Sequence, residues 1–278
     1  MSGRARPAFV TRFAPAPTGF LHLGHVVNAL YVWALAREVG GIVRLRIEDH
    51  DRQRCRRDFE EALFEDLAWL GFEADGPPVR QSDRGEVYRA ALGRLVDQGL
   101  VYGCDCTRAC LQEIAPGPDG ERPYPGTCRH RRLGLRDGLG WRAVMQPGVE
   151  RFEDRLCGPQ AQDPAAQCGD LLVRDRLGNW TYQFAVVADD VEQGITEVIR
   201  GTDLLASTGR QIRLARLLGC ATPPRFTHHP LVMRSATEKL SKSDGDTGIR
   251  DLRAAGWSAR EVLAHAQTHL APGVFGGG

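Results

Sequence analysis

Lysine is the residue type that this chain of 278 residues lacks most clearly. Of its 36 basic residues, 34 are arginine and only Lys239 and Lys242 are lysine. A compact ammonium group and a planar guanidinium group differ in size, hydration and geometry, so a position that keeps lysine in an arginine-rich chain is expected to need that chemistry. Chance clustering is the alternative. The two lysines indicate a candidate functional loop over residues 239–243.

Long hydrophobic runs are also missing. No apolar segment approaches the ~20 residues that span a bilayer, and residues 1–7 carry two arginines but no apolar signal segment. We therefore expect a cytoplasmic protein with no membrane partner. The composition, with 42% hydrophobic and 26% charged residues, is that of a globular chain with one large or two modest domains. A net charge of +1 neither requires nor excludes RNA as a partner.

A phosphate loop of the GxxxxGK[ST] pattern is absent as well, so nucleotide binding needs another device. Residues 12–25, RFAPAPTGFLHLGH, supply a candidate. This segment follows a predicted strand over residues 8–14 and leads into a helix that starts near residues 22–24. The next predicted strand, residues 42–47, ends in the acidic segment 48–51. Because ligands bind beyond the carboxyl ends of parallel strands, both segments are expected to face one crevice.

The remaining hydrophobic pattern predicts an α/β protein. Helices are expected over residues 57–70, 85–98, 207–218 and 258–270, and strands over residues 171–174, 182–187 and 195–200. The section from about residue 101 to residue 168 lacks this periodicity and carries a loop rich in Pro and Gly. We therefore expect an inserted subdomain over residues 103–168, between the two parts of one larger domain, residues 1–102 and 169–278.

Eight cysteines without a secretory signal favour free thiols or a metal site over disulfides. Cys104, Cys106 and Cys128 have the spacing of metal ligands, and three thiolates bind zinc well. On chemistry alone, Cys110 and His130 are equally good candidates for a fourth ligand. A subdomain of reduced cysteines without a metal is the alternative.

Two short motifs carry a family resemblance. The segment His22-Leu23-Gly24-His25 is similar to the HIGH motif of class I aminoacyl-tRNA synthetases, and residues 239–243, KLSKS, are similar to the KMSKS loop of the same class. The segments LRIEDHD, QSDR, YQFAVV and ITEVIRGTDLL resemble the glutamyl-tRNA synthetase branch. The resemblance covers nearly the whole chain. It implies a Rossmann-type parallel sheet as the catalytic domain, with an inserted zinc-bearing subdomain that binds the acceptor.

The resemblance also assigns residues to ATP, which is bound with magnesium. His22, His25 and Lys242 are the implied catalytic residues, since charge builds on the phosphate oxygens during amino-acid activation. The residues implied in ATP binding are Pro15, Thr18, Gly19, His22, Gly24, His25, Lys239, Ser241 and Lys242. For the zinc ion, the family pattern Tyr-x-x-x-Cys adds Tyr124 to the three cysteines as the fourth ligand.

Glutamate is the implied amino acid. Its two carboxylates and its ammonium group need arginines and at least one acid. The resemblance implies that Arg12 and Arg200 bind carboxylate, that Glu48 binds the amino group and that Tyr182 hydrogen-bonds the substrate. Ala14 and Ala16 would leave room for it. Ordinary salt bridges are the alternative for the two arginines, and a helix cap is the alternative for Glu48.

The length after the lysine loop suggests which member of the family the chain resembles. Only 35 residues follow Ser243, too few for the large anticodon-binding region of full-length members. The chain therefore resembles truncated members, which activate glutamate without tRNA and attach it to queuosine at the wobble position of tRNA(Asp). We expect a monomer without an anticodon-binding domain. The alternatives are a minimal glutamyl-tRNA synthetase that charges a tRNA 3′ end and an inactive RNA-binding paralogue.

Overall fold

The computed structural model describes residues 9–50, 54–117, 120–232 and 248–271 of the chain. The strands in these ranges are Val10–Phe13 (β1), Ile42–Ile47 (β2), Val79–Arg80 (β3), Val101–Cys104 (β4), Gly140–Ala143 (β5), Glu150–Asp154 (β6), Gly158–Gln162 (β7), Leu171–Arg174 (β8), Glu197–Gly201 (β9) and Arg225–His229 (β10). The α-helices are Leu23–Glu38 (α1), Arg57–Leu70 (α2), Gly85–Asp97 (α3), Arg108–Gln112 (α4), Pro164–Cys168 (α5), Tyr182–Glu192 (α6), Thr208–Leu217 (α7), Ile249–Ala254 (α8) and Ala259–Gln267 (α9). Gln81–Asp83 and Thr202–Ser207 are 3₁₀-helices.

These elements belong to two compact units. As far as it is described, the first unit comprises residues 1–83, 195–204 and 225–278. The second unit comprises residues 84–194 and 205–224. The inserted subdomain over residues 103–168 stays a prediction.

Parallel strands form the centre of the first unit. β2 pairs with β1 on one side and β3 on the other, and β9 pairs with β10, all in parallel register. Val10 N donates a hydrogen bond to Thr196 Oγ1 (2.8 Å), just before β9, and Thr196 N donates one to Val10 O (2.9 Å). Further along the same strands, Arg12 Nη1 lies 3.5 Å from Ile199 O. β1 and β9 therefore run in the same direction, so the carboxyl ends of the five strands lie at one edge.

Local sequence explains several boundaries in the first unit. β2 and α2 have the bounds that the hydrophobic pattern predicts, and α1 starts within the predicted residues 22–24. In α2, Leu63, Leu67 and Leu70 recur at the helical period and are buried. The helix ends at Gly71, which has a left-handed φ of 77° that side chains with a Cβ atom rarely adopt.

The second unit combines an antiparallel sheet with helices. β5 lies between β4 and β8, and β6 forms an antiparallel pair with β7. Tyr88 and Leu95 of α3, Phe184 of α6 and Leu214 of α7 share one hydrophobic core. The strands β5, β6 and β7 fall in the section whose pattern predicts no regular elements, because they are short and rich in Gly and polar residues.

The predicted strand over residues 182–187 is wrong, because these residues begin helix α6. Phe184, Ala185, Val186 and Val187 are all buried, so the helix presents the continuous apolar run that is typical of a buried strand. The preceding Thr181 also differs from a usual helix cap, since its hydroxyl donates to Leu172 O at 2.6 Å. Tertiary packing on several sides therefore outweighs the strand preference of the two valines.

In the described part of the chain, no helix combines the length and the apolar character needed to cross a membrane.

Candidate active site and candidate metal centre

The start of α1 is built from two histidines that cap the helix together. His22 is the N-cap residue, and its Nδ1 accepts a hydrogen bond from Gly24 N at 3.1 Å. His25 Nδ1 in turn accepts one from His22 N at 3.1 Å, and the two ring centroids are 3.9 Å apart. Because Nδ1 is the acceptor in both rings, the hydrogen of each neutral imidazole lies on Nε2. Both Nε2–H groups are donors suited to an anion at this helix N-terminus.

Gly24 packs closely against the His22 ring. A Cβ atom at this position would lie 3.0 Å from His22 Cε1 and 3.1 Å from His22 Nδ1. Gly24→Ala should therefore shift the capping imidazole and weaken the cap, at a cost of up to about 1 kcal/mol that offsets the gain from the better helix former. Denaturant unfolding measures this loss.

A second glycine serves as the control for that prediction. Gly93 lies inside α3, and a Cβ atom there would meet nothing within 4 Å. Gly93→Ala should raise stability, since alanine is the better helix former. A Gly24→Ala protein that gains as much stability as the Gly93→Ala protein would contradict the expected loss of the cap.

The loop after β1 and the acidic segment after β2 do lie together, as far as the described residues 48–50 extend. Glu48 N donates a hydrogen bond to Pro15 O at 3.1 Å, which joins the two strand ends directly. Asp49 accepts hydrogen bonds from Ser82 N (2.8 Å) and Ser82 Oγ (2.6 Å), which adds the end of β3. His50 Nδ1 lies 2.7 Å from Gln81 Oε1. The predicted convergence of these segments is confirmed.

Arg12 and Arg200 are both buried near the carboxyl ends of their strands, each with 4% of its surface exposed. Arg200 Nε donates to His228 Nε2 at 2.9 Å, and its Nη2 donates to Leu204 O at 3.3 Å. Arg12 Nη1 contacts the backbone of β9 at Ile199 O. Two buried guanidinium groups from neighbouring strands thus lie at the same edge of the first unit.

Glu48 is also buried, with 8% of its surface exposed, and lies at the end of β2. Arg46 Nη2 is 3.4 Å from Glu48 Oε1, and the Arg46 side chain is fully buried. The N-cap residue of helix α2 is Arg56, so Glu48 does not cap the helix that follows it. Sequence reasoning missed Arg46, although its position two residues before Glu48 places both side chains on one face of the strand.

The other predicted site residues divide into three groups. Pro15 is buried, whereas Thr18, Gly19, Ala14 and Ala16 are half-buried in the loop after β1. Tyr182 is half-buried at the first position of α6 and belongs to the second unit. Lys239, Ser241 and Lys242 lie outside the described residues. Their roles stay predictions.

Three cysteines of the second unit form a candidate metal centre. The Sγ atoms of Cys104, Cys106 and Cys128 all lie within 4.8 Å of one another, and the Cys106–Cys128 pair is 3.6 Å apart. Thiolates bound to one tetrahedral zinc ion at 2.3 Å would be separated by about 3.8 Å. The cluster is therefore compatible with a metal ion of that size.

Tyr124 lies within this cluster, whereas the other two candidates for a fourth ligand do not. Tyr124 Oη is 3.3 Å from Cys104 Sγ and 3.6 Å from Cys106 Sγ, and it accepts a hydrogen bond from Cys128 N at 2.9 Å. Cys110 is exposed and contacts Thr107, and His130 is exposed as well. The geometry thus brings together the four residues of the family pattern.

The thiols of the cluster differ in their electrostatic surroundings. Burial raises the pKa of Cys106 to about 11, and the neighbouring Cys128 and Cys104 add to this. Burial also acts to raise the pKa of Cys104, but hydrogen bonds with Tyr124 and Arg142 outweigh it and the net pKa is lowered. A cation bound among the three sulfur atoms would favour the thiolate form of each of them.

A buried carboxylate forms a hydrogen-bond network next to the candidate metal centre. Asp170, 1% exposed, accepts hydrogen bonds from Tyr102 Oη (2.6 Å), Arg129 Nε (2.9 Å) and Met145 N (3.0 Å). Arg142 donates to Asp170 O at 2.8 Å and lies over the Tyr124 ring at 3.7 Å. The network therefore fixes the orientation of the Tyr124 ring.

The basic run over residues 129–132 is partly structural. Its sequence suits either an RNA backbone or a solvated surface. In the structure, however, Arg129 pairs with Asp170, and Arg131 pairs with Asp105, 2.5 Å away. Arg132, exposed and next in the run, adopts a left-handed φ of 53°. Two of the three arginines in the run thus stabilise the surroundings of the cysteines.

The class of this protein follows from its similarity to known proteins. Residues 8–121 and 143–266 match the family model described as tRNA synthetases class I (E and Q), catalytic domain. A solved glutamate tRNA ligase from Elizabethkingia meningosepticum is 29% identical with a TM-score of 0.73, over 90% of this chain and 53% of that chain. The chain thus spans about half of that protein. A methionyl-tRNA synthetase from Mycobacterium tuberculosis, 12% identical with a TM-score of 0.57 over 94% and 64% of the two chains, shares the fold alone. The fold and site define a class I tRNA synthetase catalytic domain.

Curated relatives narrow the class further. A glutamyl-Q tRNA(Asp) synthetase from Bordetella bronchiseptica is 48% identical over 247 residues, which cover 87% of this chain and 77% of that protein. Proteins of the same name from Aromatoleum aromaticum (46% identical, 86% and 75% covered) and Geobacter sulfurreducens (42% identical, 90% and 82% covered) are similar to most of the chain as well. The chain belongs to the glutamyl-Q tRNA(Asp) synthetase family.

Proposed function

We propose that the protein activates L-glutamate with ATP and transfers it to queuosine at the wobble position of tRNA(Asp). The main support is its similarity to glutamyl-Q tRNA(Asp) synthetases over most of their length. In the first step a glutamate carboxylate oxygen attacks the α-phosphorus of ATP, forming glutamyl-adenylate and releasing pyrophosphate. In the second step a hydroxyl of queuosine attacks the acyl carbon, forming an ester and releasing AMP. Glutamate activation proceeds without tRNA.

The first step depends on positioning and on preorganised donors, because charge builds on phosphate oxygens. His22 and His25 would direct their Nε2–H groups to these oxygens from the start of α1. Lys242, with Lys239 nearby in sequence, would add a cation on the triphosphate. Magnesium would accompany ATP, held largely by phosphates and water.

Glutamate would be selected by buried charges. Arg12 and Arg200 would bind carboxylate, Glu48 would bind the ammonium group, and Tyr182 would donate a further hydrogen bond. Glutamine would leave a buried guanidinium without its charged partner, a penalty of about 3 to 5 kcal/mol. Aspartate lacks only one methylene group, which costs about 1 to 3 kcal/mol, so it is harder to exclude.

Zinc is the metal that we propose for the cysteine cluster. Cys104, Cys106, Cys128 and Tyr124 would hold one ion, which would stabilise the fold of the inserted, acceptor-binding subdomain over residues 103–168. The donor set fits, because three soft sulfur ligands favour zinc over hard cations. A cytoplasmic monomer completes the proposal.

Transfer of radiolabelled glutamate tests the whole proposal. With ATP, the protein should label tRNA(Asp) that contains queuosine and leave tRNA(Asp) without queuosine unlabelled. The control is tRNA(Glu), which the similarity to a glutamate tRNA ligase makes the alternative acceptor. Labelling of tRNA(Glu) alone would replace the proposed acceptor with a tRNA 3′ end. Absence of glutamate-dependent ATP–pyrophosphate exchange would contradict the activation step.

A further inference from the structure

The guanidinium group of Arg200 is held on several sides by residues that the proposed mechanism does not use. Arg200 in β9 and His228 in β10 are register partners in a parallel pair, so both side chains extend from the same face of the sheet. Arg200 Nε donates to His228 Nε2 at 2.9 Å. The Phe226 ring lies 5.5 Å from Arg200 Cζ, and Leu204 O accepts from Nη2. These contacts fix the plane of the guanidinium group.

His228 contributes the most directional of these contacts. Its side chain is fully buried and lies nearly parallel to the Phe226 ring, at an interplanar angle of 9°. Since arginine Nε carries a hydrogen and cannot accept, His228 Nε2 is the acceptor and its own hydrogen lies on Nδ1. The imidazole is therefore neutral and in one tautomer. A hydrogen bond to Nε limits rotation about the end of the arginine side chain, and a planar fork binds carboxylate well only in the correct orientation.

We propose that His228 is a positioning residue for glutamate, which holds Arg200 in the orientation that binds the substrate carboxylate. This inference rests on the proposed role of Arg200 and extends it to a residue that does not itself touch the substrate. His228 acts on the affinity for glutamate and its analogues, and has little effect on ATP.

Steady-state ATP–pyrophosphate exchange with varied glutamate and varied ATP tests this role. His228→Ala should raise the KM for glutamate about 10- to 100-fold, because a loosely held guanidinium is misplaced by roughly an ångström, with a much smaller change in the KM for ATP. His228→Gln should recover most of the affinity, since its carbonyl oxygen can accept from Arg200 Nε. In an Arg200→Lys background, His228→Ala should add little, because the shared contact is already lost.

The neighbouring histidine provides a matched control. His229 is equally buried, at 3% exposure, but alternates to the other face, where it contacts Asn28 and stacks on Tyr31 at 4.7 Å. His229→Gln should keep the KM for glutamate near the wild-type value, and thermal unfolding of every variant checks that it folds.

Two sets of outcomes would overturn the inference. Equal rises in both KM values, no recovery in a folded His228→Gln protein, or full additivity with Arg200→Lys would reject the role of His228 alone. Absence of glutamate-dependent exchange in the wild type would reject the proposed function and this inference together.

Discussion

Cys104→Ser is expected to release a bound zinc ion and to destabilise the second unit by about 4 kcal/mol or more. Few kinds of substitution destabilise a protein this much, and loss of a metal ligand is one of them. Cys104 is 2% exposed, and its Sγ lies 3.3 Å from Tyr124 Oη within the cysteine cluster. Binding of a structural metal contributes folding free energy directly, because the site does not exist in the unfolded chain. Metal analysis of the purified protein and denaturant unfolding, with and without a chelator, measure both effects.

A cysteine outside the cluster is the control for this prediction. Cys110 is exposed, and its Sγ lies 3.3 Å from Thr107 Oγ1. Cys110→Ser should keep one zinc ion per chain and the wild-type stability. A wild-type protein that binds no zinc after purification with added metal would contradict the proposed centre, as would a Cys104→Ser protein that retains it fully.

Asp170→Ala is expected to cost about 3 to 5 kcal/mol of stability, the usual penalty for removing one partner of a buried ion pair. Asp170 accepts hydrogen bonds from Tyr102, Arg129 and Met145 N, and the alanine would accept none of them. The loss should spread to the cysteine cluster, since Arg142 links the same network to the Tyr124 ring. Urea unfolding measures the cost, and competition with a chelator measures the accompanying drop in zinc affinity.

An exposed aspartate of the second unit gives the comparison. Asp137 is 95% exposed and pairs with Arg174 at 3.4 Å. Surface pairs contribute at most about 1 kcal/mol, so Asp137→Ala should change stability little and zinc affinity not at all. Similar losses from the two substitutions would contradict a special role for Asp170.

Elements with strong local signals could be predicted from the sequence. β2 and α2 have the predicted bounds, because β2 alternates apolar residues with arginines and α2 buries leucines at the helical period before a glycine. The helix that starts at Leu23 was expected from the apolar residues after Gly24. These signals act over a few residues, so they do not depend on the rest of the fold.

Elements with weak or ambiguous signals were missed or misassigned. The run over residues 182–187 was predicted as a strand, but packing of α6 against α3 and α7 makes it a buried helix. Strand β10 and helix α8 had no assignment from the pattern, because five or six residues carry too little periodicity.

The sequence by itself determined the family, the histidine pair at the start of α1 and the charged residues near strand ends. Only the tertiary structure decided their partners: Arg200 with His228, Glu48 with Arg46, and Tyr124 with the three cysteines. The Arg200 and His228 positions are 28 residues apart in the chain. Strand register and loop path bring such residues together, and neither is encoded in the few residues around each side chain.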